Sequence, residues 1–255
     1  MSKPRINPLS ISSFLVEAYF NEILLSTATA FAYRYNNKKY LITNYHVAYG
    51  RNAETNKCLD KKYASIPNKL KIIFYDKNAV SMFLDINYLE NNNPFKFIKK
   101  DGNIVDIAIF ELPDDFSGVC INELEQLFHE PSWEENVKLE ITEPLYVIGY
   151  PRGINICYTP IWKKSSIASE PELNVDGMQC FYIDTTTREG MSGAPVVYYS
   201  SGGEYKTPEI LFAIADRSIY KFVGIYSGRD RSDEPHIAQL GKVWKKELIE
   251  EVINS

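Results

Sequence analysis

Between Phe14 and Tyr226 the apolar residues come in short runs, each closed by a turn signal before it reaches the length of an ordinary helix. Ala28 to Tyr35 and Tyr40 to Thr43 flank Asn36-Asn37-Lys38-Lys39, a hairpin pattern. Leu70 to Tyr75 and Val80 to Ile86 flank Asp76-Lys77-Asn78, and Asn91-Asn92-Asn93-Pro94 ends that stretch. Asn103 to Leu112 follows as one more strand. Later runs are Leu145 to Tyr150, Ile154 to Trp162, Gln179 to Asp184, Pro195 to Tyr199, Leu211 to Ile214 and Tyr220 to Tyr226. Many short strands with turns between them indicate an all-β barrel or sandwich. Two stretches carry helical spacing instead. One is Ile121 to His129, with Leu124, Leu127 and Phe128 on one face. The other is Gly241 to Asn254, with Val243, Trp244, Leu248 and Val252 as its stripe. Residues 1–13 read as a polar arm over the surface and 51–68 as a loop.

Other classes are disfavoured by composition. The chain has 255 residues, 45% hydrophobic and 24% charged, which suits a globular unit with an ample core. A net charge of −5 argues against a nucleic-acid surface. No run reaches the length of a membrane span. Met1 to Ser10 lacks the apolar centre of a secretion signal, so a cytoplasmic location is expected. Cys58, Cys120, Cys157 and Cys180 show no CxxC spacing and read as free thiols, and no metal site is expected.

The loop most suited to chemistry is Arg188-Glu189-Gly190-Met191-Ser192-Gly193-Ala194-Pro195, between the runs Phe181 to Asp184 and Val196 to Tyr199. Small residues let it turn tightly and present Ser192. Gly190 brings a backbone N–H close with no side chain in the way. The N–H groups of Gly190 and Ser192 are candidates to converge on an oxyanion. A serine hydroxyl needs a base, and the base needs an orienting carboxylate. Of three histidines, His129 and His236 sit in helix-end and charged-loop contexts. His46 closes Tyr40-Leu41-Ile42-Thr43-Asn44-Tyr45-His46-Val47-Ala48, just past a strand. Asp106 lies inside the apolar run Asn103 to Leu112, where an ionised carboxylate must find a partner. Asp85 and Asp184 share that kind of surrounding, so spacing alone does not single out Asp106.

In chain order, His46, Asp106 and Ser192 stand in Thr43-Asn44-Tyr45-His46-Val47, Asp106-Ile107-Ala108-Ile109 and Gly190-Met191-Ser192-Gly193-Ala194-Pro195. In these three motifs the chain resembles the chymotrypsin-like, or trypsin-like, serine peptidases, as a small, bacterial-type cytoplasmic member without an appended peptide-binding domain. The resemblance implies two packed six-stranded antiparallel β-barrels with a C-terminal α-helix. The N-terminal barrel would span 14–112, the connection 113–143, the C-terminal barrel 144–240 and the helix 241–254. It implies a serine endopeptidase working through a His46-Asp106-Ser192 triad and an acyl-enzyme, with Gly190 and Ser192 as the oxyanion hole and no cofactor. Its partners would be a protein or peptide substrate and a regulatory protein, with no nucleic acid and no membrane.

By the same resemblance Ser227, Gly228 and Arg229 would line one wall of the specificity pocket, and Thr186 and Thr187 its base or opposite wall. No Asp stands at the pocket base, so a preference for Lys or Arg is not expected. The threonines, with Arg188 or Arg229 near, suit a polar or acidic side chain. Zymogen-activated relatives carry an Asp before the serine; Met191 stands there here, and activation by a freed amine through this position is not expected. Secreted relatives often have a Cys after the histidine, where this chain has Val47. Two alternatives remain open from the residues alone: a peptide-binding protein with a silent or partner-gated site, and an esterase. The Gly-x-Ser-x-Gly elbow of α/β-hydrolases is missing, since Ala194 follows Gly193.

Overall fold

A computed structural model describes residues 6–76, 78–128, 137–186, 188–229 and 240–255. The chain opens with a one-turn helix α1 (Pro8–Ile11), capped by the Asn7 side chain, which accepts from the Leu9 N–H. The segment expected to be a surface arm instead buries Leu9 and Ser12 completely. Leu9 is an apolar anchor, and that outweighs the polar residues around it.

Strands β1 (Ser13–Phe20), β2 (Ile23–Tyr35) and β3 (Lys38–Thr43) form a meander. The β2–β3 turn is two residues long, Asn36 and Asn37, both with φ in the left-handed region, the geometry that tight hairpins need. Helix α2 (Tyr45–Tyr49) follows, then β4 (Lys69–Tyr75) and β5 (Ser81–Asn87). A small ribbon, β6 (Lys99–Lys100) and β7 (Asn103–Ile104), leads to β8 (Ala108–Glu111). The run 103–112 is therefore two strands interrupted at 105–107, not one. The six-stranded sheet has the order β5-β4-β1-β2-β3-β8 and is a half-barrel with β5 and β8 at its ends.

Helix α3 (Ile121–Phe128) lies in the connection. Strand β9 (Pro144–Gly149) runs into a 3-10 turn at Pro151–Gly153, and β10 (Ile161–Ile167) starts well after the expected Ile154. Then come β11 (Cys180–Asp184), β12 (Pro195–Ser200), the ribbon β13 (Glu204–Tyr205) and β14 (Ala213–Ile214), β15 (Ile219–Arg229) and β16 (Leu240–Lys245). Six of these close a barrel, β10-β11-β16-β15-β12-β9. The chain ends in α4 (Glu247–Ile253).

The helix expected over 241–254 is thus half strand. Val243 and Trp244 lie in β16, paired with Phe181 and Cys180 on one side and with Tyr226 and Ile225 on the other. Their apolar spacing to Leu248 and Val252 fits a helix equally well. What decides is that β11 and β15 need a strand between them to close the barrel, a tertiary demand that local pattern does not carry.

Each sheet has its own interior, and a third cluster joins them. Phe31 and Ile42 of the first sheet meet Phe222, Ile225 and Trp244 of the barrel, with Leu248 and Val252 of α4. The Phe31 and Phe222 rings meet edge to face at 5.3 Å. Polar bonds cross the same seam: the Ser13 hydroxyl donates to the Ile148 carbonyl at 2.8 Å, and the buried Tyr150 hydroxyl donates to the Ser13 carbonyl at 2.8 Å. Among the described residues no helix is long and apolar enough to cross a membrane.

Candidate active site

β3 ends at Thr43 and the chain turns at once into α2, with Asn44 at the N-cap position. Gly50, at φ +62°, stops the helix; a Cβ there would meet Pro67 Cδ at 2.4 Å. The single turn carries His46 to the seam between the two sheets. Asp106 arrives from the interrupted stretch between β7 and β8, where a bend frees it from the strand ladder. Asn44 links the two segments by donating its side-chain amide to the Asp106 carbonyl at 2.7 Å.

The Asp106 carboxylate is buried and fully engaged. Oδ1 accepts the His46 backbone N–H at 2.9 Å, an orphan donor of the helix's first turn. Oδ2 faces His46 Nδ1 at 2.8 Å and accepts the Ser227 hydroxyl at 2.5 Å. Burial alone would push this carboxyl's pKa up. The adjacent His46, its ring and backbone hydrogen bonds and the Ser227 hydroxyl outweigh that and hold it below the usual carboxylate value. An ionised Asp106 can only accept, so Nδ1 of His46 carries the proton and Nε2 is left as the basic nitrogen.

That depressed pKa has a measurable consequence. The folded value lies below the unfolded one, so Asp106 stabilises the fold above the unfolded carboxylate pKa and loses that contribution as pH falls through the folded value. Resistance of the wild type to urea should fall as pH drops below the unfolded carboxylate value of about 4, and Asp106→Asn should show a shallower slope there. Equal slopes would mean that Asp106 titrates alike in both states.

Ser192 sits on a loop whose peptide planes are tied both within the loop and from outside it. The Glu189 carbonyl accepts the Arg152 N–H at 2.6 Å, and the Gly190 carbonyl accepts the Thr29 hydroxyl at 2.8 Å. The Met191 carbonyl accepts the Ala194 N–H at 3.0 Å, and the Ser192 carbonyl accepts the Thr29 N–H at 2.8 Å. Gly193 donates its N–H to the Tyr226 carbonyl at 2.9 Å. Two glycines are obligatory here. At Gly190 (φ +92°) a Cβ would lie 2.2 Å from the Tyr150 carbonyl oxygen, and at Gly193 (φ +83°) 2.1 Å from that of Thr29. Met191 is fully buried beneath the loop. Among the described residues no hydrogen bond engages the N–H of Gly190 or of Ser192.

The serine loop and the His46–Asp106 pair meet around two residues of β15. Ser227 holds Asp106, and a Cβ on the next residue, Gly228 (φ +102°), would stand 3.9 Å from Ser192 Oγ. His46, Asp106 and Ser227 also line a cavity of about 230 Å³ together with Met178, Lys242 and Trp244. The Ser227 hydroxyl is committed to the carboxylate, so this residue contributes more than the pocket wall expected of it. Gly228 keeps the space beside Ser192 open. Thr186 is exposed, and the Arg229 backbone pairs with Gly241. Thr187, His129 and His236 lie outside the described residues. Thr29 and Asn44 went unremarked in the sequence because a threonine in a strand and an asparagine before a helix are ordinary there.

A family model described as a trypsin-like peptidase domain matches residues 28–203, from the strand bearing Thr29 to past the Ser192 loop. The chain belongs to the trypsin-like peptidase family. It is therefore a serine-type peptidase by family, with the chymotrypsin-like architecture described above. Solved structures share that fold at low identity. The serine endoprotease from Yersinia pestis is 12% identical, with a TM-score of 0.55 over 99% of this chain and 67% of that one. The apo protease domain of MamO from Magnetospirillum magneticum is 12% identical, with a TM-score of 0.50 over 96% of each chain. At such identity the likeness speaks for the fold alone. No curated protein matches the chain.

Proposed function

We propose that this trypsin-like peptidase is an endopeptidase that cleaves through an acyl-enzyme formed on Ser192. Ser192 Oγ attacks the substrate carbonyl while His46 Nε2 takes its proton. His46 then returns that proton to the leaving amine, and water repeats the sequence to release the acid. Asp106 keeps the proton on Nδ1 and stabilises the imidazolium. The N–H groups of Gly190 and Ser192 receive the oxyanion, where the loss of one donor typically costs about 3 kcal/mol of barrier.

The observation that carries this reading is the meeting at Ser227-Gly228. Asp106 lies at hydrogen-bond distance on one side and Ser192 Oγ beside the adjoining residue, with His46 already in donor geometry to the carboxylate. The two unengaged N–H groups flanking Met191 support it independently. Thr186 is exposed, and by the family match it belongs to the specificity pocket, which favours a polypeptide with a polar or acidic side chain before the cut.

The test is chemical. A fluorophosphonate probe should label the wild-type protein on Ser192, with no label on Ser192→Ala or on wild type denatured beforehand. Labelled protein should also lose cleavage of an unstructured polypeptide. A native protein that stays unlabelled at millimolar probe would overturn the reading in favour of a silent peptide-binding groove, and turnover of small esters alone would favour an esterase.

A further inference from the structure

We infer that Thr29 is a positioning residue for the oxyanion-binding loop, and that its hydroxyl, from the opposite sheet, anchors the peptide plane after Gly190, the second of two clamps that keep this hinge from turning the Gly190 N–H away. The inference rests on the reading of Ser192 as nucleophile and adds to it a residue outside the three motifs.

A peptide unit is planar and trans, so its C=O and the following N–H point in opposite directions. Fixing a carbonyl therefore aims the next amide. Gly190 has a peptide plane on each side. The one before it is held by Arg152, which donates to the Glu189 carbonyl at 2.6 Å. The one after it is held by Thr29 Oγ1, which donates to the Gly190 carbonyl at 2.8 Å. Gly190 lacks a Cβ and stands at φ +92°, so it is the natural hinge of the loop. Without a partner on each plane its conformational freedom would let the preceding amide rotate away from the substrate.

Thr29 is fully buried and uses every polar group it has. The hydroxyl that donates to Gly190 also accepts the Tyr150 N–H at 3.2 Å. Its own N–H donates to the Ser192 carbonyl at 2.8 Å, and its carbonyl accepts the Thr43 hydroxyl at 2.9 Å. One residue of β2 thus grips the serine loop at two carbonyls and steadies the β9 end that carries Tyr150 and Arg152. The surroundings are shaped to this oxygen: a Cβ on Gly149 would come within 2.7 Å of it. Valine has threonine's shape and lacks the hydroxyl. In Thr29→Val the Gly190 carbonyl and the Tyr150 N–H both lose their partner, while the Thr29 backbone bonds survive.

The experiment compares Thr29→Val with Thr29→Ser, which keeps the hydroxyl and loses a methyl. With a fluorogenic peptide substrate, Thr29→Val should lower kcat by about tenfold to hundredfold with KM changed by less than about threefold, the pattern for a misaimed transition-state donor. Thr29→Ser should stay within about threefold of wild type in both constants. The second measurement needs no turnover. In 15N-labelled protein the Gly190 and Met191 amide resonances should shift or broaden in Thr29→Val and hold their positions in Thr29→Ser. Equal losses in the two variants would reduce Thr29 to a packing residue, and unmoved amides in Thr29→Val would overturn the proposal even in a protein that cleaves nothing. Failed probe labelling of the wild type, by contrast, sinks the peptidase mechanism and leaves the amide result to decide the role of Thr29.

Discussion

Replacing Ser192 by alanine should lower kcat on any cleaved polypeptide by about 10⁵- to 10⁶-fold while leaving KM within a few fold. The change removes one partly exposed oxygen from a loop whose planes are held by Arg152, Thr29, Ala194 and Tyr226, none of which bonds to that oxygen. The fold should therefore survive, and the thermal midpoint should move by no more than a few degrees. Because nucleophile and base act as one unit, Ser192→Ala combined with His46→Ala should be scarcely slower than either alone. If Ser192→Ala keeps a tenth of wild-type activity, another group attacks the substrate. A cell-wide comparison of new N-termini between wild type and Ser192→Ala would then also report the preferred cleavage sites.

Asp106→Asn should lower kcat by about 10⁴-fold, and the reason lies in a backbone amide. The His46 N–H can only donate, so it will hold the carboxamide oxygen where Oδ1 now stands. The amide NH₂ then faces His46 Nδ1 and Ser227. Nδ1 must become an acceptor, which moves the proton to Nε2 and removes the base. Ser227 adapts by rotating its hydroxyl, so packing is preserved while the tautomer is lost. The measurable signature is a steep loss of turnover and of probe labelling with little change in KM. Activity within tenfold of wild type would show that the imidazole keeps its useful tautomer without Asp106.

The sequence disclosed the candidate residues better than their supports. His46 and Ser192 were legible as candidates from a strand end and a loop of small residues, and Asp106, one of three aspartates in apolar surroundings, only from the order of the three motifs. The local form around Asp106 was not, because an apolar run of ten residues reads as one strand. The bend that interrupts it serves a carboxylate whose partners lie 60 and 121 residues away. β16 was hidden for the same kind of reason. Val243, Trp244, Leu248 and Val252 satisfy a helical stripe, and only the gap between β11 and β15 shows that the first two belong to a strand. Thr29 left no trace, since its hydroxyl is used by a carbonyl 161 residues further on.

The order in which the chain supplies its parts has a bearing on how a cell can make such a protein safely. A polypeptide growing on a ribosome already carries the hydroxyl, the imidazole and the carboxylate once residue 192 has emerged. β11 and β15 have nothing to join them until residues 240–245 arrive, and the serine loop leans on β15 through the Tyr226 carbonyl and Gly228. Half-made chains should therefore be harmless to their neighbours, and cutting power should switch on as one late, cooperative event when the last staves of the cylinder slot into place.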